Sequence, residues 1–126
     1  MRRTAAIIFA VVVGLSIIGC SSVGLRRSDG KIHASLMALT PLGSTPEQVL
    51  AFVKQQGWRH SEYHPNTGFL KQERPEIEVV GASSINASLG DYHSSPFLIT
   101  NVSAFWGFDQ KRRLIEIWIW RTTDGP

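Results

Sequence analysis

The sequence has a single cysteine in 126 residues, so no internal disulfide can form and no cystine framework holds the fold. It also lacks a large charge of either sign. Thirteen Lys and Arg stand against ten Asp and Glu, and two of the basic residues, Arg2 and Arg3, lie in the first three positions. Without those two, eleven basic side chains face ten acidic ones, which is not the basic excess that a nucleic-acid binder carries on its folded part. Long apolar runs are scarce as well. Only residues 5–18 form one, interrupted by Ser16 alone, which excludes a multi-span membrane protein. There is no internal repeat, and the length allows one domain with a tail rather than two domains.

The chain opens with a positive Met1-Arg2-Arg3, followed by the apolar block 5–18. That block is too short to span a ~30 Å hydrocarbon core comfortably and has the layout of an export signal. It ends in Ile17-Ile18-Gly19-Cys20-Ser21-Ser22, which resembles the lipobox of bacterial lipoproteins. The resemblance implies cleavage before Cys20, diacylglycerol on its thiol and acylation of its new amino group. Several acyl chains at ~0.8 kcal/mol per buried CH₂ anchor a protein stably where one is marginal. Ser21 after the cysteine is similar to lipoproteins sorted to the outer membrane. Residues 1–19 are thus expected as signal peptide and 20–31 as lipidated Cys20 with a flexible Ser/Gly-rich tether. Residues 32–126 form the domain.

Within that domain, residues 32–39 read as a short helical turn with Leu36 and Leu39 on one side, stopped at Pro41. The clearest local signal follows. Thr45 is an N-cap, Pro46 takes the first helical position and Gln48 closes a capping box, with Ser44 and Glu47 as an alternative frame. Val49, Leu50, Phe52 and Val53 make a buried stripe, and Gly57 ends a helix of about 46–56. Beyond it the pattern is antiparallel sheet: strands over 58–63, 69–73, 77–80 and 84–89, a polar loop over 90–96, then strands over 97–108 and 114–121. The expected fold class is α+β, one main helix, with a short helix before it, packed on an antiparallel sheet. A four-residue final turn sets Trp106 opposite Ile115. It gathers Val102, Ala104, Trp106, Phe108, Ile115, Ile117 and Ile119 on the face that seats the helix, and leaves Leu114 on the other.

Candidate chemistry is thin. His33, His60, His64 and His93 do not stand at metal-ligand spacing, so no metal or other cofactor is expected. Asp91, His93, Ser94 and Ser95 have the residue types of nucleophilic catalysis, but one short loop cannot stack them as acid, base and nucleophile. Glu76 and Glu78 fall on one side of a strand about 7 Å apart, a carboxylate pair without a sugar-sized cleft in so small a domain. Lys111-Arg112-Arg113 beside Trp106, Trp118 and Trp120 is a pattern that binds single-stranded nucleic acid, but export removes that partner. The sequons at Asn86 and Asn101 stay bare in a bacterial lipoprotein. No enzyme and no small-molecule substrate is expected. The outer sheet face bearing Phe105, Trp118 and Trp120 is costly to leave in water. It is either a protein-contact site or a surface covered by another strand, the first helix or the C-terminal tail.

A family resemblance rests on the same segments. Leu42-Gly43-Ser44-Thr45-Pro46-Glu47-Gln48-Val49 resembles the "Gly-Met-Thr-x-x-Glu-Val" helix start of the small-protein-A/outer-membrane-lipoprotein-A family, BamE-like lipoproteins. Phe105-Trp106-Gly107-Phe108-Asp109 with Leu114-Ile115-Glu116-Ile117 is similar to its strand–turn–strand ending. Ser44 replaces the family's Met, Lys111-Arg112 stands where Gly is usual, and 58–96 is longer and richer in strand. The resemblance implies two helices on a three-stranded sheet, no catalytic residues, and work through protein and lipid contacts in outer-membrane assembly or maintenance. The expectation is a protein anchored to membrane lipid through Cys20, on the outer membrane facing the periplasm, that binds an envelope protein. An alternative is an inhibitor or immunity lipoprotein that plugs a hydrolase with His93-Ser94-Ser95.

Overall fold

The structure, a computed structural model, describes residues 24–73 and 75–125. Helices α1 (Asp29–Leu39) and α2 (Pro46–Gln56) precede strands β1 (Arg59–His64), β2 (Phe69–Glu73), β3 (Glu76–Val80), β4 (Ser83–Ser95), β5 (Leu98–Phe108) and β6 (Leu114–Asp124). Four strands form one antiparallel sheet in the order β1-β4-β5-β6, and β2 pairs with β3 as a separate ribbon. The fold is α+β. Among the described residues there are two helices, and the main sheet has four strands, with the ribbon besides, where the family resemblance implied a three-stranded sheet.

The helix α2 forms for the local reasons visible in its sequence. Thr45 Oγ1 accepts from the Gln48 N–H at 3.2 Å, and Gln48 Oε1 accepts from the Thr45 N–H at 2.9 Å, so two orphan donors are satisfied reciprocally. Gly57 closes the helix at φ +72°, where a Cβ would be strained. The first helix is longer than its apolar pattern suggested, with 11 residues from Asp29. Ser28 caps it by accepting from the Lys31 N–H, and Asp29 in the first turn complements the helix dipole.

Both helices lie on one sheet face. Ile32, Leu36, Val49 and Val53 are fully buried against Ile85, Val102, Ala104, Trp106 and Phe108. Burying such aliphatic side chains contributes roughly 1.5–3 kcal/mol each. Trp106 is the largest of these buried residues, and its indole N–H donates to Thr40 Oγ1 at 3.0 Å. That hydroxyl donates in turn to the Leu36 carbonyl at 2.7 Å, so the polar tip of the core is tied to the end of α1.

Three expectations are corrected. First, residues 90–96 are not a loop, because β4 runs on to Ser95. Gly90, at φ +131°, lies at the irregularity after Ser88 that bends the strand without ending it. Second, Trp106 pairs with Ile117 rather than Ile115. The Asp109 N–H donates to the Arg113 carbonyl at 2.9 Å, and the Asp109 carboxylate accepts from the N–H groups of Lys111 and Arg113. Arg112 sits at φ +62° in this three-residue turn. Phe108 then faces Leu114, and a register irregularity follows. Leu114 therefore enters the core, while Ile115 is exposed.

Third, the C-terminal part of the expected tether is held. Leu25 packs against the core. The Arg121 guanidinium donates to the carbonyls of Leu25 and Arg27, each at 2.8 Å, and to Asp29 Oδ1 at 2.9 Å. Burial opposes the charge of Arg121, but its bonds to Asp29 and Tyr92 outweigh that and hold its pKa above the ordinary value. Arg26 donates to the His93 carbonyl at 3.0 Å and lies 4.6 Å from the centre of the Tyr92 ring. The chain thus joins the domain at the β4–β5 hairpin, before α1 begins.

Candidate functional site

The site is the sheet face turned away from the helices. Alternation along β5 and β6 brings Phe105 opposite Trp118 and Ser103 opposite Trp120. Trp118 and Trp120 meet edge to face with ring centres 4.9 Å apart, and Phe105 lies 5.4 Å from Trp118. The three residues expected as a contact site are therefore together, each half-buried.

What covers them in part is the β2–β3 ribbon, not the first helix. Phe69 at the start of β2 is buried and stacks on Trp118 at 6.0 Å and 6°, with Phe105 5.6 Å away. Gly107 permits this. A Cβ there would meet the Phe69 ring at 2.9 Å and Val80 at 3.0 Å, so the ribbon rests directly on the β5 backbone. Lys71 fastens the next position, donating to Glu116 Oε2 at 2.6 Å, with Glu73 at 3.6 Å. The hydrogen bond to Glu116 keeps the lysine charged above its ordinary range, against the opposing pull of partial burial. Ser84 Oγ donates to the Thr67 carbonyl at 2.9 Å and fixes the β1–β2 connection.

Between ribbon and sheet runs an open groove of about 520 Å³. Phe69, Phe105, Trp118 and Trp120 wall it, with Leu70 at its lip, and His64, Asn86 and Gln72 supply polar atoms. His64 Nε2 and Asn86 Oδ1 are 2.7 Å apart, so those two groups satisfy each other. The other side of the ribbon carries an apolar strip, in which Leu70, Ile77 and Val79 are more than half exposed. Apolar walls with a few polar atoms suit an apolar side chain or strand of a partner. Phe69 escaped sequence reading because its role is set by Gly107, 38 positions away; only the Gly68-Phe69 boundary marked it.

The other candidates remain dispersed. The end of β4 contains His93, Ser94 and Ser95, and the serine hydroxyls bond within the turn: Ser94 donates to the Leu98 carbonyl, and Ser95 accepts from the Phe97 N–H. A plug loop of His93-Ser94-Ser95 is thereby corrected to strand. Glu76 and Glu78 are exposed on β3, across from Glu73 and Lys71. Among the described residues no three His, Cys, Asp or Glu side chains gather as a metal site, and no helix is long and apolar enough to cross a membrane. Cys20 lies outside the described residues. Comparison with protein-family models, with curated proteins and with solved structures finds no match to this chain.

Proposed function

We infer that the protein is a lipid-anchored component of the bacterial envelope, held through acylated Cys20 on the outer membrane, that binds another envelope protein. The observation that carries the reading is the half-covered aromatic groove of Phe105, Trp118 and Trp120, continuous with exposed Leu70 on the ribbon. The motif likeness to small-protein-A/outer-membrane-lipoprotein-A proteins supports an accessory role in outer-membrane assembly or maintenance. Chemistry is not part of this reading: Ser84 and His64 face each other across the ladder in the groove, but Ser84 Oγ donates to the Thr67 carbonyl and His64 Nε2 bonds Asn86 Oδ1.

Site-specific photo-crosslinking in intact cells tests it. A crosslinker in place of Leu70 or Trp120 is expected to yield the same discrete protein adduct, and one in place of Lys111, at the far turn, none. The adduct should vanish when Gly107→Leu, whose side chain takes the seat of Phe69 and Val80, displaces the ribbon in a chain still anchored. Absence of a shared adduct, or its survival in the displaced-ribbon variant, refutes the groove as a contact. Incorporation of a fatty-acid probe, abolished by Cys20→Ser, checks the anchor separately.

A further inference from the structure

The β4–β5 turn presents the apolar run Phe97-Leu98-Ile99, with Phe97 75%, Leu98 38% and Ile99 44% exposed. These side chains have no place in the core, because they stand beyond the end of the sheet that the helices cover. A soluble hairpin end normally carries polar turn residues, and the opposite end of β5 does: Asp109, Gln110, Lys111, Arg112 and Arg113. The two ends of one strand are therefore built for different surroundings.

Where the chain enters the domain says what those surroundings are. Arg26 is bonded to the His93 carbonyl, at the same end as Phe97. His93 and Phe97 are separated by two strand positions and a turn, about 10 Å at strand rise. Cys20 precedes Gly24 by four residues, a reach of at most ~14 Å. If Cys20 carries lipid, that reach lets its acyl chains and the Phe97 turn meet the same leaflet. Arg26 lies at that level, where an anionic headgroup surface attracts a basic side chain.

We propose that the Phe97-Leu98 turn is a second membrane contact, inserted into the interfacial layer of the bilayer that holds the anchor; this rests on the lipidation of Cys20. The insertion is shallow. Ile99 pairs across the ladder with Asp124, an exposed carboxylate that stays at the headgroup level, so Phe97 and Leu98 enter and the strand stops there. Alone, two side chains bind a membrane weakly. Beside the acyl chains their effective concentration is high, and they fix orientation rather than affinity.

The test uses the mature lipoprotein purified from membranes and reconstituted in vesicles of phosphatidylethanolamine with phosphatidylglycerol. Intact mass first shows whether Cys20 is acylated, and so judges the anchor by itself. An environment-sensitive dye is then placed at Phe97→Cys and, as a control about 35 Å away along β5, at Lys111→Cys. The expected result is a blue shift at position 97 with quenching by lipids spin-labelled at shallow depth, ~5–10 Å below the surface, and neither effect at 111. Equal, unquenched emission at both positions of an acylated chain overturns the proposal. So does a photo-crosslinker at 97 that captures a protein in cells instead of lipid. Should the mass show a bare Cys20, the anchor reading fails. The turn contact then stands only if a Cys20→Ser chain labelled at 97 is still quenched on adding vesicles.

Discussion

Replacing Phe69 by Ala should undock the ribbon without unfolding the domain. The ribbon makes no ladder to the four-stranded sheet. It is held by Phe69 and Val80 seated over Gly107, by Lys71 on Glu116 and by the Ser84–Thr67 bond. Removing a buried Phe costs about 1.5–3 kcal/mol in transfer, and the two ring pairs with Phe105 and Trp118 add about 0.5–1.5 kcal/mol each. The sum, ~2.5–6 kcal/mol, brackets the usual range of about 3–5 kcal/mol for Phe→Ala in cores. If that energy belongs to ribbon docking alone, amide hydrogen exchange in β2 and β3 should quicken by about two to four decades. Exchange in β4, β5 and β6 should stay near the wild-type rate, since their core of Trp106, Phe108, Ile85 and the two helices is untouched. The near-UV dichroism of the Trp118–Trp120 pair should weaken as Trp118 loses its stacked neighbour. Unchanged exchange in β2 and β3 would refute the claim that Phe69 holds the ribbon. A uniform rise across all strands would show that ribbon and sheet are one cooperative unit.

Other variants probe separate parts of the argument. Thr40→Val removes the acceptor of the Trp106 indole N–H in the core and should lower stability in urea by ~1–3 kcal/mol, with an unchanged m value. Arg121→Met releases three carbonyl and carboxylate contacts of residues 25–29, and trypsin should then cut at Arg26 or Arg27 markedly faster than in the wild type, as followed by mass. Lys71 has a folded pKa above its ordinary 10.5, so its bond to Glu116 contributes fully below that pH and is lost as pH rises through the folded value. Ribbon docking followed by tryptophan emission should therefore weaken in alkali. In Lys71→Met it should start weaker and lack that alkaline step.

Legibility followed how local the cause was. The helix α2 was readable in full because Thr45, Pro46, Gln48 and Gly57 all act within one turn of its ends. The extent of α1 was not, because Asp29, Gly30 and Lys31 show no apolar rhythm and only the Ser28 cap marks the start. The two faces of the final hairpin were right for Val102, Ala104, Trp106, Ile117 and Ile119, since a pairing shift of two residues preserves alternation. Leu114 and Ile115 came out exchanged because the Asp109 carboxylate sets a three-residue turn and the irregularity after it reverses one step of the pattern. Gly90 looked like a stop and is a bend within β4. Of the candidate site, the aromatic trio was visible as alternation along two strands. The groove was not, because it exists only where Phe69 comes down on Gly107.

The position of Arg121 joins these pieces. It stands on β6, one residue after Trp120, and its guanidinium grips the backbone that leads to Cys20. A residue of the groove wall and a clamp on the anchor-proximal chain are thus adjacent on one strand, and no freely jointed linker separates them. With an inserted Phe97 turn at the same end, the sheet would have two fixed points on the membrane and its strands would stand away from the surface. The groove then opens sideways, roughly along the leaflet, and presents the Leu70 lip to proteins that share the membrane rather than to those diffusing above it. A partner selected by that geometry is itself membrane-bound. The Arg121→Met chain, with its anchor intact but its clamp released, should lose the adduct seen from position 70 while keeping the fold of the sheet; an undiminished adduct would mean that the groove needs no fixed orientation to find its partner.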